Sequence, residues 1–343
     1  METDRVTIVD VAARAGVAIS SASAALNGRP GVSEATRARV QRAASELGYV
    51  PSLRGRSLST KRAFAIGFVL QRSLDVLESD PFFASFIGGI EQALSPRGYA
   101  LVLHMGTNER DTENRYRELA ANRRVDGVLL NELRVDDPRL PLMNEIGMPA
   151  VGIVPSAEGF ELPCVRQPSA PGVAAMVRHL VDQGHTNIAH VSGPARFVHA
   201  RERVEAWRAE MARHGLRADT LIPGDFTYQG GRAAADAISQ MVDRPTAVVC
   251  ANDLAAVGLI IRAQELGWDV PGDLSVGGYD GIAMGTYIRP TLSTVQAAPR
   301  RVAAAAANLL LDVIEDPAGS AGRVVDLAPG QLIVRHSTGK CPK

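Results

Sequence analysis

The sequence predicts two folds joined end to end: a small all-α helix-turn-helix head, then an α/β body of two doubly wound parallel-sheet lobes. Three observations predict it. The first 62 residues carry three short helical patterns with a glycine break between the first two. From Ala63 onward short apolar runs alternate with amphipathic stretches. Those units are too numerous for one sheet, and 343 residues suit two or three domains. Hydrophobic residues make up 46% and charged residues 22%, a globular balance rather than a disordered one.

Thr7 is placed to cap a first helix in which Ile8, Val11, Ala12 and Ala15 fall at helical spacing. Gly16 interrupts it within Ala15-Gly16-Val17-Ala18. A second helix ends near Asn27-Gly28, a natural stop. After Arg29-Pro30-Gly31-Val32, Ser33 caps a third, with Val40, Ala43, Ala44 and Leu47 at i, i+3, i+4 and i+7 before Gly48 closes it. A tight glycine turn between the first two of three short helices describes a helix-turn-helix unit. In its second helix Ala22, Ala25 and Leu26 share an inward face. Ile19, Ser20, Ser23 and Ala24 then point outward, as recognition in a major groove requires.

The alternative is a small packing bundle that binds no nucleic acid, and charge weighs against it. Lys+Arg and Asp+Glu both number 37, yet residues 1–62 hold ten of the former and five of the latter, leaving 27 against 32 for the rest. A basic head on an acidic body points to a polyanion partner. Cys164, Cys250 and Cys341 lie far apart with no metal-ligand spacing, a usage that suits a reducing cytosol. The opening METDRVTIVD has early acids and no apolar core, so no signal peptide is expected, and no apolar run approaches the roughly 18 residues of a membrane span. The expected location is the cytoplasm, away from any membrane.

The stretches Thr7–Val17, Leu26-Asn27-Gly28, Val32-Ser33-Glu34-Ala35-Thr36-Arg37 and Leu47-Gly48-Tyr49-Val50-Pro51 resemble the head of a lactose-repressor-type (LacI/GalR) regulator. The resemblance implies a DNA-binding domain over residues 1–51 and a hinge over 52–62 that becomes helical only when paired on operator DNA. In that family a leucine from each hinge wedges into the central minor-groove step. Leu58 falls on the wedge position, while Arg54 and Arg56 are placed to neutralise phosphates. The alternative for 52–62 is a plain linker. The implied DNA contacts are Thr7, Ile19, Ser20, Ser21, Ser23, Ala24, Asn27, Arg54, Arg56 and Leu58. Two departures matter: Ala18 stands where the family usually has Ser, and Ala24 where it has an arginine. Ala24 cannot bond to guanine, so readout is expected to lean on phosphates, hinge and DNA shape.

In the body, the expected strands are Ala63–Leu70, Tyr99–His104, Asp126–Leu130, Ala150–Val154, Asn187–Val191, Thr246–Cys250 and Leu274–Tyr279. Helical stretches such as Phe83–Leu94, Thr112–Asn122, Gly172–Gln183, Arg201–His214 and Leu254–Leu266 lie between them. Such alternation gives parallel sheets covered on both faces, and a break around Ser156–Pro171 separates two lobes. A cleft is expected at the carboxyl ends of their strands.

The resemblance continues through Asp80-Pro81-Phe82-Phe83, Gly184–Ala189, Ser192-Gly193-Pro194, Arg201-Glu202-Arg203, Ala251–Gly258 and Ser275–Asp280. These look like the effector domain of the same regulators, which is similar to periplasmic sugar-binding proteins and is crossed by the chain three times between lobes. The implied effector domain is 63–343, with lobe 1 at about 63–166 and 297–325 and lobe 2 at about 167–296 and 326–343. The last helix, Arg300–Ile314, returns to the first lobe and the closing strands to the second. By position Arg203, Asn252 and Asp280 match groups that hold effector hydroxyls or carboxylates, and Phe83 and Phe226 match rings that flank the ligand. The alternatives are a surface ion pair of Arg203 with Glu202 or Glu205, and plain core packing for Phe226. Val154, Pro171 and a long Gln71–Asp80 loop depart from the sugar-binding pattern, which points to an effector with fewer hydroxyls than a hexose, or one that is not a sugar.

His179, His185, His190 and His199 lack the spacing of metal ligands and read as packing or capping groups. No nucleophile elbow, phosphate loop or dinucleotide fingerprint is present, so neither catalysis, metal nor cofactor is expected. The tail His336–Lys343 is too short and polar for a tetramer-forming repeat, which favours a homodimer. The functional expectation is a ligand-responsive repressor: a near-palindromic double-stranded operator is its DNA partner and a sugar or polyol its effector. A transport-type binding protein is the alternative, disfavoured by the basic head.

Overall fold

The computed structural model describes residues 6–28, 30–49, 57, 60–72, 74–154, 156 and 159–342. Arg54, Arg56 and Leu58, and most of the expected hinge with them, lie outside the described residues. The chain divides into two compact units, Met1–Phe64 and Ala65–Lys343.

The head is built of α1 (Ile8–Ala15), α2 (Ile19–Leu26) and α3 (Glu34–Glu46). The Asp10 carboxylate accepts from both the Thr7 N–H (2.8 Å) and the Thr7 hydroxyl (2.7 Å), which fixes the start of α1. Gly16 ends it in the left-handed region at φ 64°, a conformation that glycine adopts without penalty. The chain bends by 102° between α1 and α2, inside the roughly 90–120° of helix-turn-helix pairs. Val11, Ala12, Ala15, Ala22, Ala25, Val40, Ala43 and Ala44 form the core. Mostly small side chains let three short helices approach closely, and Leu26 and Leu47 close the periphery. Arg14 and Glu46 join the ends of α1 and α3 at 2.9 Å.

The body holds two six-stranded sheets. The first runs β2 (Ala100–Met105), β1 (Ala65–Leu70), β3 (Gly127–Leu130), β4 (Ala150–Val154), β5 (Cys164–Arg166), β11 (Val324–Asp326), parallel throughout. The second runs β7 (Leu221–Ile222), β6 (Ile188–Val191), β8 (Ala247–Cys250), β9 (Ser275–Asp280), β10 (Ser293–Gln296), β12 (Gln331–Ile333), with β12 alone antiparallel. The helices are α4 (Leu74–Ser79), α5 (Pro81–Leu94), α6 (Glu109–Ala121), α7 (Arg139–Ile146), α8 (Ala170–Asp182), α9 (Val198–Arg213), α10 (Tyr228–Ser239), α11 (Asp253–Glu265) and α12 (Pro299–Glu315).

Every residue of β1, β3, β6 and β8 is buried, as parallel strands covered on both faces must be. In β8 the alternation is plain. Val248 and Cys250 pack towards Ala234, Ile238 and Leu259, while Ala247 and Val249 pack towards Met176, Trp207 and Met211. No single helix among the described residues is long and apolar enough to cross a membrane.

The chain changes lobe after β5, β10 and β11. Helix α12 returns to the first lobe, packed against α5. One expectation fails here. The closing strands do not both join the second lobe: β11 pairs with β5, so Asp326 belongs to the first sheet and only β12 joins the second. The cause is local, since β11 is a three-residue edge strand with Val324 41% exposed, too short and too wet to signal its sheet. Strand β5 falls within the expected break at Ser156–Pro171, and β7 and β10 have no counterpart among the expected strands.

Candidate functional site

Both sheets have the strand order of a doubly wound fold, in which ligands bind outside the carboxyl ends where the order reverses. In the first sheet that point lies between β1 and β3, in the second between β6 and β8. The segments leaving those strands bring Arg72, Asn131, Glu132, His199 and Asn252 to a single cleft. Strands β4 and β9 add Ile153, Val154 and Asp280, and helices α5 and α9 add Phe82, Phe83, Phe86 and Arg203. The cleft holds about 1050 Å³ of atom-free space, its open mouth included. All five body residues singled out from sequence line it: Phe83, Arg203, Phe226, Asn252 and Asp280.

Asp280 ends β9 at φ 124°, in the left-handed region, and is held there from behind. The Asp253 carboxylate accepts from the Gly281 and Ile282 N–H groups, both at 2.8 Å, and from the Thr294 hydroxyl at 2.5 Å. Burial pushes the Asp280 carboxyl well above the ordinary range; the Arg203 charge opposes this, and the Asp253 and Asp80 charges add to it. Arg203 is 9% exposed, donates to the Ala251 carbonyl and lies 3.8 Å from the Tyr279 ring centroid. The surface ion pair with Glu202 does not form. Glu202 instead accepts from the Ser169 and Ala170 N–H groups at 3.1–3.3 Å. Among the described residues the Arg203 Nε finds no partner.

Asn252 caps α11, accepting from the Ala255 N–H at 3.2 Å and donating to the Phe226 carbonyl at 2.8 Å. Its amide therefore builds the wall as much as it faces the cleft. Phe226 sits at φ 70°, its ring so close over Gly193 that a β-carbon there would collide with it. That ring stacks on His199 at 5.3 Å and 12°, and Phe197 lies within 6.4 Å. Phe83 is buried in α5, edge-on to Phe82 at 5.4 Å.

Sequence reasoning passed over Asp80, Arg72 and His199. Asp80 caps α5 by accepting from the Phe82 N–H (3.0 Å), and burial pushes its carboxyl up to about 6. Its Asp-Pro step was the available signal. Among the described residues no Lys or Arg lies within ion-pair distance of Asp80 or Asp280. Arg72 is bound by Glu132 at 2.5–3.1 Å, a pair 60 residues apart that no local pattern announces. His199, read as packing or capping, does stack on Phe226 and Phe197 and in addition lines the cleft, where burial beside Arg203 and Arg72 drives its imidazole well below the usual range. The other histidines are structural. His185 bonds Thr246 and Ser275, and His190, pushed down to about 3 by burial, stacks on Trp207 at 5.6 Å. No group of three or more His, Cys, Asp or Glu among the described residues could hold a metal ion.

On the head, α2 shows the inward and outward faces that its spacing requires. Ala22 and Ala25 are buried, Ile19 is 50% exposed and Ser20 is exposed; Ser21, Ser23 and Ala24 are half-buried. Two candidates are already engaged: the Asn27 amide donates to the Ser23 carbonyl (2.9 Å) and hydroxyl (3.3 Å). Thr7 is exposed and bound to Asp10.

Residues 7–52 match the model of a family described as bacterial regulatory proteins, lacI family, and residues 177–338 that of a periplasmic binding protein-like domain. An HTH-type transcriptional repressor PurR of Vibrio campbellii is 33% identical over 338 residues, 97% of this chain and 99% of that protein. One of the same name from Photobacterium profundum is 32% identical, over 96% and 98%. Among solved structures, a transcriptional regulator CelR–cellobiose complex matches with a TM-score of 0.72 at 32% identity, over 97% of this chain and all of that one. The lac repressor dimer bound to operator and the anti-inducer ONPF matches with a TM-score of 0.80 at 26% identity, over 98% and 100%.

Proposed function

The chain belongs to the lacI family of bacterial regulatory proteins, and from that premise we propose a homodimeric transcriptional repressor whose grip on a near-palindromic DNA operator is set by a sugar or polyol in the cleft. As a member of a repressor family it acts in the cytoplasm and is not an enzyme.

The observation that carries the effector reading is the pair of buried carboxyls, Asp80 and Asp280, one from each lobe, with aromatic rings beside them and no cation in contact among the described residues. An ionised carboxylate accepts several hydrogen bonds and a protonated carboxyl both donates and accepts, so a ring molecule rich in hydroxyls satisfies both while ring faces cover its C–H surface. Above about pH 6 the Asp80 carboxylate repels an anionic ligand, and Arg72 is already bound by Glu132. The relative solved with cellobiose supports the sugar reading, while apolar Ile153 and Val154 favour a ligand with one poorly hydroxylated side.

A thermal-shift panel of sugars, polyols, nucleobases and sugar phosphates tests this, because a ligand raises the midpoint by mass action. A neutral, hydroxyl-bearing hit that also changes retention of promoter DNA in a gel shift is expected. Stabilisation by the phosphorylated compounds alone would remove the reading.

On the DNA side, Ile19, Ser20, Ser21 and Ala24 are the proposed base-facing set. Thr7, Ser23 and Asn27 support it, and Arg54, Arg56 and Leu58 act from the hinge. Leu58→Ala should weaken binding to a specific operator by about tenfold or more, the scale of the roughly 1–3 kcal/mol that one specific contact carries. Binding to random duplex should stay unchanged. Equal losses on both, read in a salt titration, would discard the wedge.

A further inference from the structure

We propose that Asn131–Arg139 is a strap that bolts the two lobes together across the cleft, so that a ligand enters and leaves when the strap lets go. That it controls a ligand rests on the effector reading above; the bolt itself does not.

The segment leaves β3 at the switch point and runs to α7. Glu132 and Asp136 sit at φ 49° and 54°, left-handed positions without a glycine. Such residues persist only where the surroundings fix them. Here the fixing group is Arg139, 8% exposed, which donates to Asp137 at 2.6 and 2.9 Å and to the Asn131 and Glu132 carbonyls at 3.0 and 3.1 Å. Asp137 also accepts from the Arg134 N–H at 2.9 Å. The result is a rigid hoop whose internal bonds all lie within the first lobe.

From this hoop the main chain reaches the second lobe. The Val198 N–H donates to the Leu133 carbonyl at 3.0 Å, and the Val135 N–H to the Arg196 carbonyl at 3.2 Å, an antiparallel bridge. Glu132 adds a side-chain arm: it grips Arg72, whose guanidinium lies 5.0 Å from the Phe197 ring centroid and 5.7 Å from that of Phe226. Spreading the lobes must break both main-chain bonds and lift Arg72 off two rings, while the hoop survives to close again. The three covalent crossovers are permanent; this tie is reversible. Two net main-chain hydrogen bonds hold it, each worth only a few-fold in equilibrium, so the open form stays within reach.

Val198→Pro isolates the bolt. Val198 is the first residue of α9, where a proline's missing N–H costs the helix no bond. Phe197 before it is already extended, at φ −89° and ψ 133°, as a residue preceding proline must be. In the full chain without ligand, hydrogen exchange of the Val135 amide and of the Asn131–Arg139 segment should quicken about two- to tenfold, the factor one net hydrogen bond carries. The sheets should keep their protection. Val198→Ala, which trims the side chain but keeps the N–H, should leave the strap at the wild-type rate. Unchanged exchange in Val198→Pro, or equal quickening in both variants, overturns the bolt. If Val198→Pro does not fold, Glu132→Gln read at the same amide decides, faster exchange supporting the bolt and an unchanged rate refuting it. With the stabilising sugar from the panel, Val198→Pro should at least double the association rate. An unchanged rate beside quicker exchange overturns the control of ligand passage. A quickened strap in a chain that binds no member of the panel counts against the effector reading alone.

Discussion

The two lobes share a strand order and yet present unlike walls to the same cleft. The first lobe offers a helix face, Phe82, Phe83 and Phe86 on α5, with Ile153 and Val154 from β4, the Asp80 carboxyl, and Glu132 already paired with Arg72. The second offers strand ends: Asn252 after β8, Asp280 closing β9, and Arg203 over Tyr279. The backbone differs in the same sense. Phe83 sits in ordinary helix, whereas Phe226 and Asp280 occupy left-handed conformations, one jammed against Gly193 and the other pinned by Asp253. Topology decides where a site forms; the residues at strand ends decide its chemistry. A wall made of one helix is apolar and rigid, while a wall of pinned turns aims individual polar groups.

The largest expected effect is on the polar wall. Arg203→Leu removes the cleft guanidinium whose charge opposes the burial of Asp280 and whose Nε has no partner among the described residues. Effector affinity should drop by about 2–3 kcal/mol, on the order of 30- to 150-fold, the scale of hydrogen bonds to charged groups. Calorimetric titration with the stabilising ligand measures it, and a melt of the free variant confirms that the lobe stands. A loss below threefold would break the assignment of recognition to the second wall.

The next concerns the Asp80 carboxyl of the first wall. Burial raises Asp80 from its ordinary 3.8 to about 6. Between about pH 4 and 6 the folded chain therefore holds a proton that the unfolded chain has released. Stability from this group is full below about pH 4, is lost as pH rises through about 6, and is level above. Asp80→Asn keeps the cap on α5 and removes the titration. It should stabilise the protein by on the order of 2 kcal/mol at pH 7.5, the free energy of holding that carboxylate ionised where burial disfavours it, discounted for its contact with the open cleft. The gap should close towards pH 4. Urea melts across that range test it. A gap that does not vary with pH would mean that the first wall holds no strained charge.

How far this asymmetry was legible depends on how local its causes are. The head is almost all local: spacing marked Val11, Ala12, Ala22, Ala25, Val40 and Ala43 as core, and they are. What spacing could not show is that Asn27 spends its amide on Ser23. In the body, β1, β3, β4, β6 and β8 announce themselves as apolar runs. Strand β10 does not, because Ser293, Thr294 and Gln296 are polar; Ser293 and Thr294 are buried nonetheless, Thr294 bonding Asp253 and Ser293 bonding Thr338. Arg203, Asn252 and Asp280 came through short motifs that match a family. Arg72 with Glu132, and the strap with its left-handed Glu132 and Asp136, carry no such mark. A pair 60 residues apart and a turn without glycine exist only once the fold has formed.

The smallest effect probes the apolar wall by shape rather than charge. Phe83→Leu keeps most of the buried volume, so stability should fall by less than about 1.5 kcal/mol. What it removes is the flat ring, worth about 0.5–1.5 kcal/mol against a stacked partner, so affinity should weaken roughly two- to tenfold. Phe226→Leu is the matched change across the cleft, and its consequence should differ in kind. The Phe226 ring already has His199 at 5.3 Å and Arg72 at 5.7 Å, so its loss should loosen those neighbours before it affects the ligand. Fluorescence titrations of both variants, set beside their melts, separate the two. If Phe83→Leu lowers affinity as far as Arg203→Leu does, the walls are equivalent in energy, and the division into a shape-reading lobe and a charge-reading lobe fails.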